Sequence, residues 1–289
     1  MAPKQKKSTS AQNPCHSSRS SSSALPPIPS HIQFHDKKAK MDFFENSQER
    51  GVHSECQVIL SDFANTPLLE VIQTRDWESL LEKPMRCPVM FIQEFYSNIH
   101  DIDTSVPQFV STFRGTRIVV TPDLIFEVLH VPRVAHPDYP NCKRLRTVSR
   151  DEFISHFCEK PSLWDGFLKT PCSGFAKGLR FLNMVMTFTL TPRFHYNSII
   201  KPHARFLLSL MEDLFIDFPF HFITSIIDVY QDTATRDKLI FPLTITWILQ
   251  LFDILIPLSF LSSPSWVPLA LVLSGKVRFS FNRSGQEWR

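Results

Sequence analysis

The chain runs to 289 residues, 43% of them hydrophobic and 20% charged, enough to bury a sizeable core in one or two domains. Only 7 glycines stand beside 22 prolines and 26 phenylalanines, which argues against Gly-rich phosphate-binding architectures and against a turn-dense all-β fold. A formal net charge of +3 is too small to imply a nucleic-acid binder by itself.

The charge is unevenly placed. Residues 1–40 carry Lys4, Lys6, Lys7, Arg19, Lys37, Lys38 and Lys40 against Asp36 alone, a surplus of +6, and the remainder sums to −3. The serine run Ser20–Ser23 and then Pro26, Pro27 and Pro29 fall in the same stretch. So little apolar surface cannot offset the entropy of ordering, and a disordered, basic, Ser/Pro-rich tail is expected over residues 1–55. Its start lacks the apolar stretch of a secretory signal. Three readings stay open for it: a solvated flexible leader, a nuclear address or nonspecific nucleic-acid arm around Lys4, Lys6 and Lys7, and an organelle-targeting segment. Cys15, Cys56, Cys87, Cys142, Cys158 and Cys172 form no CxxC pair, which points to reduced thiols rather than a disulfide framework.

Thr74 reads as an N-cap, with Asp76 in the first turn and Trp77, Leu80 and Leu81 on one helical face. After Pro84 and Pro88, the 3–4 spacing of Phe91, Ile92, Phe95, Tyr96 and Ile99 predicts a helix over Val89–Ile99. The period then changes. Phe109–Phe113 and Thr116–Val120 are β-prone runs around Arg114-Gly115, the pattern of a small hairpin whose glycine supplies positive φ and whose arginine points outward. Thr121-Pro122-Asp123 opens a helix that should reach Leu129.

Residues 131–148 read as a Pro-rich loop with a basic cluster, Lys143 to Arg146, before the capping box Ser149-x-x-Glu152. Apolar helices are expected over Gly178–Leu190, Pro202–Phe215 and from Phe222 to Tyr230. Trp77, Phe91, Phe95, Tyr96, Trp164, Phe181, Phe206 and Phe222 are the candidate aromatic core. The expected architecture is mainly α, a compact multi-helix domain over residues 56–256 with one small β-hairpin, preceded by the disordered N-terminal tail. Leu239–Gly275 carries a single charge, Asp253, and its first part, residues 239–261, is long enough to cross a bilayer. Pro242, Pro257 and the mid-span Asp253 oppose that, so a buried core helix is favoured and a membrane segment is the alternative.

The order of motifs is informative as a set. Arg75-x-Trp77-x-x-Leu80-Leu81 is followed by Glu94-Phe95-Tyr96-Ser97-Asn98, Phe113-Arg114-Gly115-Thr116-Arg117-Ile118 and Thr121-Pro122-Asp123-Leu124-Ile125. Then come Leu190-Thr191-Pro192-Arg193-Phe194-His195, the stretch from Ile199 to Leu214, and Phe241-Pro242-Leu243-Thr244-Ile245-Thr246. Together these resemble the putative plant transposon protein domain, found in plant proteins linked to retroelements, and more distantly the plant mobile domain. The resemblance spans residues 63–254. It implies a mainly helical fold and supplies no catalytic chemistry to transfer. Residues 257–289 depart from the pattern as a divergent apolar tail, as a truncated or frame-shifted gene copy would.

Candidate chemistry is sparse. A metal-dependent nuclease needs converging carboxylates, for which Asp62, Glu94, Asp123, Glu127, Asp151, Glu152, Asp213 and Asp228 are available, with Asp123 and Glu127 one helical turn apart. Zinc-knuckle spacing is absent; His156, Cys158, Cys142 and Cys172 come nearest. Hydrolase, P-loop and dinucleotide signatures are missing, and no cofactor or metal is expected. Arg193, His195, Lys201 and Arg205, with His203 nearby and Phe194 and Tyr196 interleaved, form a basic cluster suited to phosphates and stacked bases.

The expectation is a transposable-element-derived, non-enzymatic domain acting in protein or nucleic-acid interaction. Candidate nucleic-acid contacts are Lys4, Lys6, Lys7, Arg193, His195, Lys201 and Arg205; other element-encoded proteins are the second class of partner. A nuclear or cytoplasmic protein is expected. The alternatives are a membrane-anchored protein, held through residues 239–261, and an element-encoded nuclease.

Overall fold

The computed structural model describes residues 32–53, 55, 58–64, 67–82, 87–158, 169–193, 197–235 and 238–254. Lys4, Lys6, Lys7, Trp164, His195 and residues 257–289 therefore lie outside the described residues.

Helices dominate, and their ends follow local chemistry. Helix α1 (Lys37–Asp42) starts where Asp36 accepts a hydrogen bond from the Ala39 amide, and it runs on as a π-helical turn, Phe43–Ser47. After a 3₁₀ turn at Leu60–Phe63 come α2 (Pro67–Gln73) and α3 (Ser79–Glu82), then α4 (Val89–Ser97). Strands β1 (Ile99–Asp103), β2 (Gln108–Phe113) and β3 (Thr116–Val120) form one antiparallel sheet in that order. Helix α5 (Pro122–Leu129) is capped by the Thr121 hydroxyl, which accepts from the Leu124 amide, and closes on His130 in the left-handed region. Next are α6 (Lys143–Thr147), α7 (Arg150–Phe157) with Ser149 as its cap, and β4 (Lys169–Pro171). Helix α8 (Lys177–Val185) passes into a second π-helical turn, Met186–Leu190; β5 (Ser198–Ile200) pairs antiparallel with β4 and leads into α9 (Lys201–Met211). The last described helices are α10 (Phe218–Gln231) and α11 (Pro242–Leu251).

The core gathers around α4, where Phe91, Ile92, Phe95 and Tyr96 are all buried. Helix α4 packs against β2, α11 and the turn after α1, while α10 and α11 both lie on α5. Of the eight aromatic residues expected inside, the seven that are described are buried: Trp77, Phe91, Phe95, Tyr96, Phe181, Phe206 and Phe222. Phe241 is also buried, held at φ 55 immediately before Pro242, with its ring 4.4 Å from that of Phe222. Packing holds a bulky residue in a backbone region it normally avoids.

Five expectations are corrected. The hairpin is two strands of a three-stranded sheet, because Ile99–Asp103 is a strand and not the end of α4. That strand is one edge of the sheet, and its polar sequence Ile-His-Asp-Ile-Asp suits an edge and hides the β pattern. A second, two-stranded sheet, β4–β5, was not foreseen. Thr74 does not cap a helix; it follows α2, its hydroxyl donating back to the Glu70 carbonyl, and the chain turns through Asp76 at φ 52.

Residues 32–53, expected within the tail, are folded. The Gln33 amide donates to Glu94 (3.1 Å) and the His35 amide to Asn98 (2.6 Å), while Phe43 enters the core. Val52 forms a parallel bridge with Leu239. These ties come from residues roughly sixty or more positions away, out of reach of local composition. Lastly, Arg114 does not point outward; it lies against Phe91 and Glu94.

The apolar stretch after residue 239 forms α11, with seven of its ten residues buried. Burial on nearly every side explains why its sequence shows no amphipathic period. Among the described residues no helix is long and apolar enough to cross a membrane.

Candidate functional site

Helix α10 sets one wall of a cleft of about 530 Å³. Asp217 caps that helix by accepting from the Phe220 amide, which places Phe220, His221, Thr224, Ser225 and Asp228 along the face bordering the opening. The opposite side is built from Tyr139–Asn141, from Thr191-Pro192 where the π-helical turn ends, and from Pro202-His203 at the start of α9. The accessible lining is mostly apolar, with prolines at 140, 192 and 202.

Two histidines define its chemistry. His203 Nε2 lies 3.1 Å from the Thr191 carbonyl. A carbonyl oxygen only accepts, so Nε2 carries the proton and Nδ1 of the neutral ring is a bare acceptor. That Nδ1 is buried with no hydrogen-bond partner, and so is the neighbouring Thr191 Oγ1. Burial pushes His203 down to about 4; the Thr191 hydrogen bond opposes this and the charge of Arg193 adds to it. Burial pushes His221 down to about 3, helped by His203 and opposed by a hydrogen bond to the Leu190 carbonyl. Both rings are therefore neutral at physiological pH. The Tyr139 ring stands edge-on to both Phe206 and His221, and its hydroxyl is pushed up to about 12 by burial, against the charge of Arg205.

The acidic groups of the cleft are less free. Arg133 donates through Nε to both Asp217 oxygens, at 3.2 and 3.1 Å, and also pairs with Asp123. Burial still raises Asp217 above the usual carboxylate range, and it raises Asp228 in the same direction.

The basic cluster lies along this same region. Lys201 is exposed at the first residue of α9, and Arg205 follows one turn later, half-buried. Arg193 Nη1 reaches the Ser198 carbonyl at 3.4 Å. Arg193 acts electrostatically on His203, and Arg205 on Tyr139. Neither arginine is among the residues lining the cleft, and Lys201 lies on the exposed start of α9. Thr191, His221 and Tyr139 were not singled out from sequence. The signal for Thr191 was present in Leu190-Thr191-Pro192, which the sequence offers as part of a family motif and not as a site.

Four of the nuclease candidates stand against arginines. Asp123 is paired with Arg133, Asp213 with Arg75, Glu152 with Arg144, and Glu94 lies 3.9 Å from Arg114. Among the described residues no three His, Cys, Asp or Glu side chains are placed to hold a metal ion. His156 Nδ1 meets the Glu152 carbonyl at 2.7 Å and Nε2 lies 3.8 Å from Glu212, while Cys172 accepts from the Asn183 amide.

The geometry defines a mainly helical domain with a histidine-lined cleft. A family model, the Putative plant retrotransposon-related domain, matches residues 73–255, and the chain belongs to that family. It is therefore a transposon-related domain of plant type. No curated protein and no solved structure matches the chain.

Proposed function

We propose that the chain is a non-enzymatic binding module of a transposable element, and that Lys201 and Arg205, with Arg193 beside them, contact nucleic-acid phosphates. The carrying observation is the placement of two cations without a carboxylate partner one turn apart on α9. Arg75, Arg114, Arg133 and Arg144 each stand within 4.0 Å of a carboxylate. Lys201 and Arg205, one turn apart on α9, have no such partner among the described residues. A lysine–arginine pair not neutralised by acid is what a phosphate backbone would engage. Lys4, Lys6, Lys7 and His195, outside the described residues, extend the same reading. In this view the domain takes in residues 32–53 as well as 56–256, with residues 1–31 as its arm, and the setting is nuclear or cytoplasmic.

Fluorescence anisotropy with labelled DNA and RNA at two salt concentrations tests this on the full chain. The wild type should bind and lose affinity steeply with salt. Replacing Lys201 and Arg205 by Ala should flatten the slope by about two phosphate contacts. Replacing Lys4, Lys6 and Lys7 by Ala separates the contribution of the arm without cutting into residues 32–53, which belong to the fold. No salt-dependent binding by the wild type would reject the reading and leave protein partners as the molecular task.

A further inference from the structure

We propose that the cleft between α9 and α10 receives a lysine side chain of a partner polypeptide, with its aliphatic stem on the apolar lining and its ammonium on Asp228. The proposal does not rest on nucleic-acid binding by α9. Its first ground is charge. Of the titratable groups lining the cleft, His203, His221 and Tyr139 are neutral, and Asp217 is paired with Arg133. Asp228 is left over. It is exposed on α10, and its carboxylate has no hydrogen bond and no ion pair among the described residues. Partial burial raises both aspartates, but Arg133 pulls Asp217 back and no cation does so for Asp228. Among the described residues that line the cleft there is no lysine or arginine. The cleft thus carries one negative charge and no cation of its own to meet it.

The second ground is the lining. Its accessible surface is mostly apolar, with Phe220, Val229 and three prolines. A lysine lays its methylene stem along such a surface and keeps its ammonium at a polar group. Asp228, beside Val229, supplies that group at one end of the α10 wall. The third ground is extent, which selects a polypeptide over a free amine. Phe220 lies eight residues before Asp228 on the same helix, about 12 Å along its axis. That is the span of roughly four extended residues, more than one lysine stem covers. A chain that sets its lysine on Asp228 therefore reaches Phe220 and the prolines with the flanking residues, and the cleft of about 530 Å³ has room for them.

The full chain is titrated with the peptide Gly-Leu-Pro-Leu-Lys-Leu-Pro-Leu-Gly, labelled with fluorescein at its amino terminus and amidated at the other end. The comparison peptide carries acetyl-lysine, which keeps the stem and removes the charge. By anisotropy the lysine peptide should bind about tenfold more tightly. Asp228→Asn should erase that difference and leave affinity for the acetylated peptide unchanged. Ser225→Phe, which narrows the cleft from its α10 wall, should weaken both peptides severalfold, with circular dichroism confirming that both variants fold. Equal affinity for the two peptides, or a preference that persists in Asp228→Asn, would overturn the proposal. Binding untouched by Ser225→Phe would put the peptide elsewhere and overturn it too. Phenylbutylamine that binds the wild type but not Asp228→Asn, where neither peptide binds, would reject the polypeptide in favour of a free amine. Binding of none of the three probes would reject the site altogether.

Discussion

Arg114 lays its guanidinium over the ring of Phe91, with Cζ 4.2 Å from the ring centre. The same group stands 3.9 Å from the Oε2 of Glu94, a carboxylate with no exposed surface. Burial pushes Glu94 up to about 7; the Gln33 amide and the Arg114 charge both oppose that shift. A hairpin turn, a core helix and the entering N-terminal strand of chain therefore meet at one buried charge. Arg114→Leu should destabilise the fold by about 2–3 kcal/mol at pH 8, through the lost stacking and an unpaired buried carboxylate. At pH 6, where Glu94 holds its proton, the loss should shrink. Urea unfolding at the two pH values checks this, and adding Glu94→Gln should recover most of the difference.

The turn itself makes a separate prediction. Gly115 sits at φ 81, and no atom lies within 4 Å of the position a Cβ would take. Gly115→Ala therefore meets no steric neighbour, and its cost is the left-handed backbone alone, about 1 kcal/mol. Gly115→Asn, which tolerates that region, should cost less. Thermal melts of the two variants decide it; equal losses would mean that something other than φ sets the penalty.

Where sequence reading succeeded, the causes were local. Thr121-Pro122-Asp123 and Ser149-x-x-Glu152 sit on the helix starts they predicted because caps involve residues three apart. Ile118 and Val120 face inward in β3 because strand period is fixed by the chain itself. Residues 32–53 were missed because Glu94 and Asn98, far along the chain, hold them. The cleft was missed for a related reason. His203 was visible only as part of a basic cluster, and its neutrality depends on burial between elements that sequence does not bring together. Family membership was legible from motif order, which needs no contact map.

Arg144 joins three elements that are separate in sequence. It pairs with Glu152 of α7 and with Glu212 just past α9, while sitting on α6. Its side chain remains about one-third exposed, so water and salt weaken the network. Arg144→Met should lower Tm by about 2–4 °C at low salt. The drop should diminish in roughly 0.5 M salt, where surface pairs are screened. A drop independent of salt would instead assign the residue's role to packing of its aliphatic stem.

Buried titratable groups give the fold a pH optimum whose position follows from their signs. His53, His203 and His221 are held down to about 4, about 4 and about 3, in each case chiefly by burial. Unfolding releases them to bind protons near pH 6.5, so their contribution is full above that value and is lost as pH falls toward 4. Glu55 and Glu94 act in the opposite sense. Burial raises them to about 8 and about 7, even though Glu55 accepts from the Leu243 amide at 2.8 Å. Their folded forms keep protons that the unfolded chain gives up above pH 4.5, so stability falls as pH rises from there through 7 and 8. Below about pH 6 the three histidines outweigh the two carboxyls, and above it the carboxyls prevail. Maximum stability should therefore lie near pH 6, with losses on both sides, rather than on a plateau from pH 6 to 8. Denaturant midpoints measured from pH 4.5 to 8.5 check this. Glu55→Gln should move the maximum upward and His221→Phe should move it downward, and a profile that neither variant shifts would contradict the assignment.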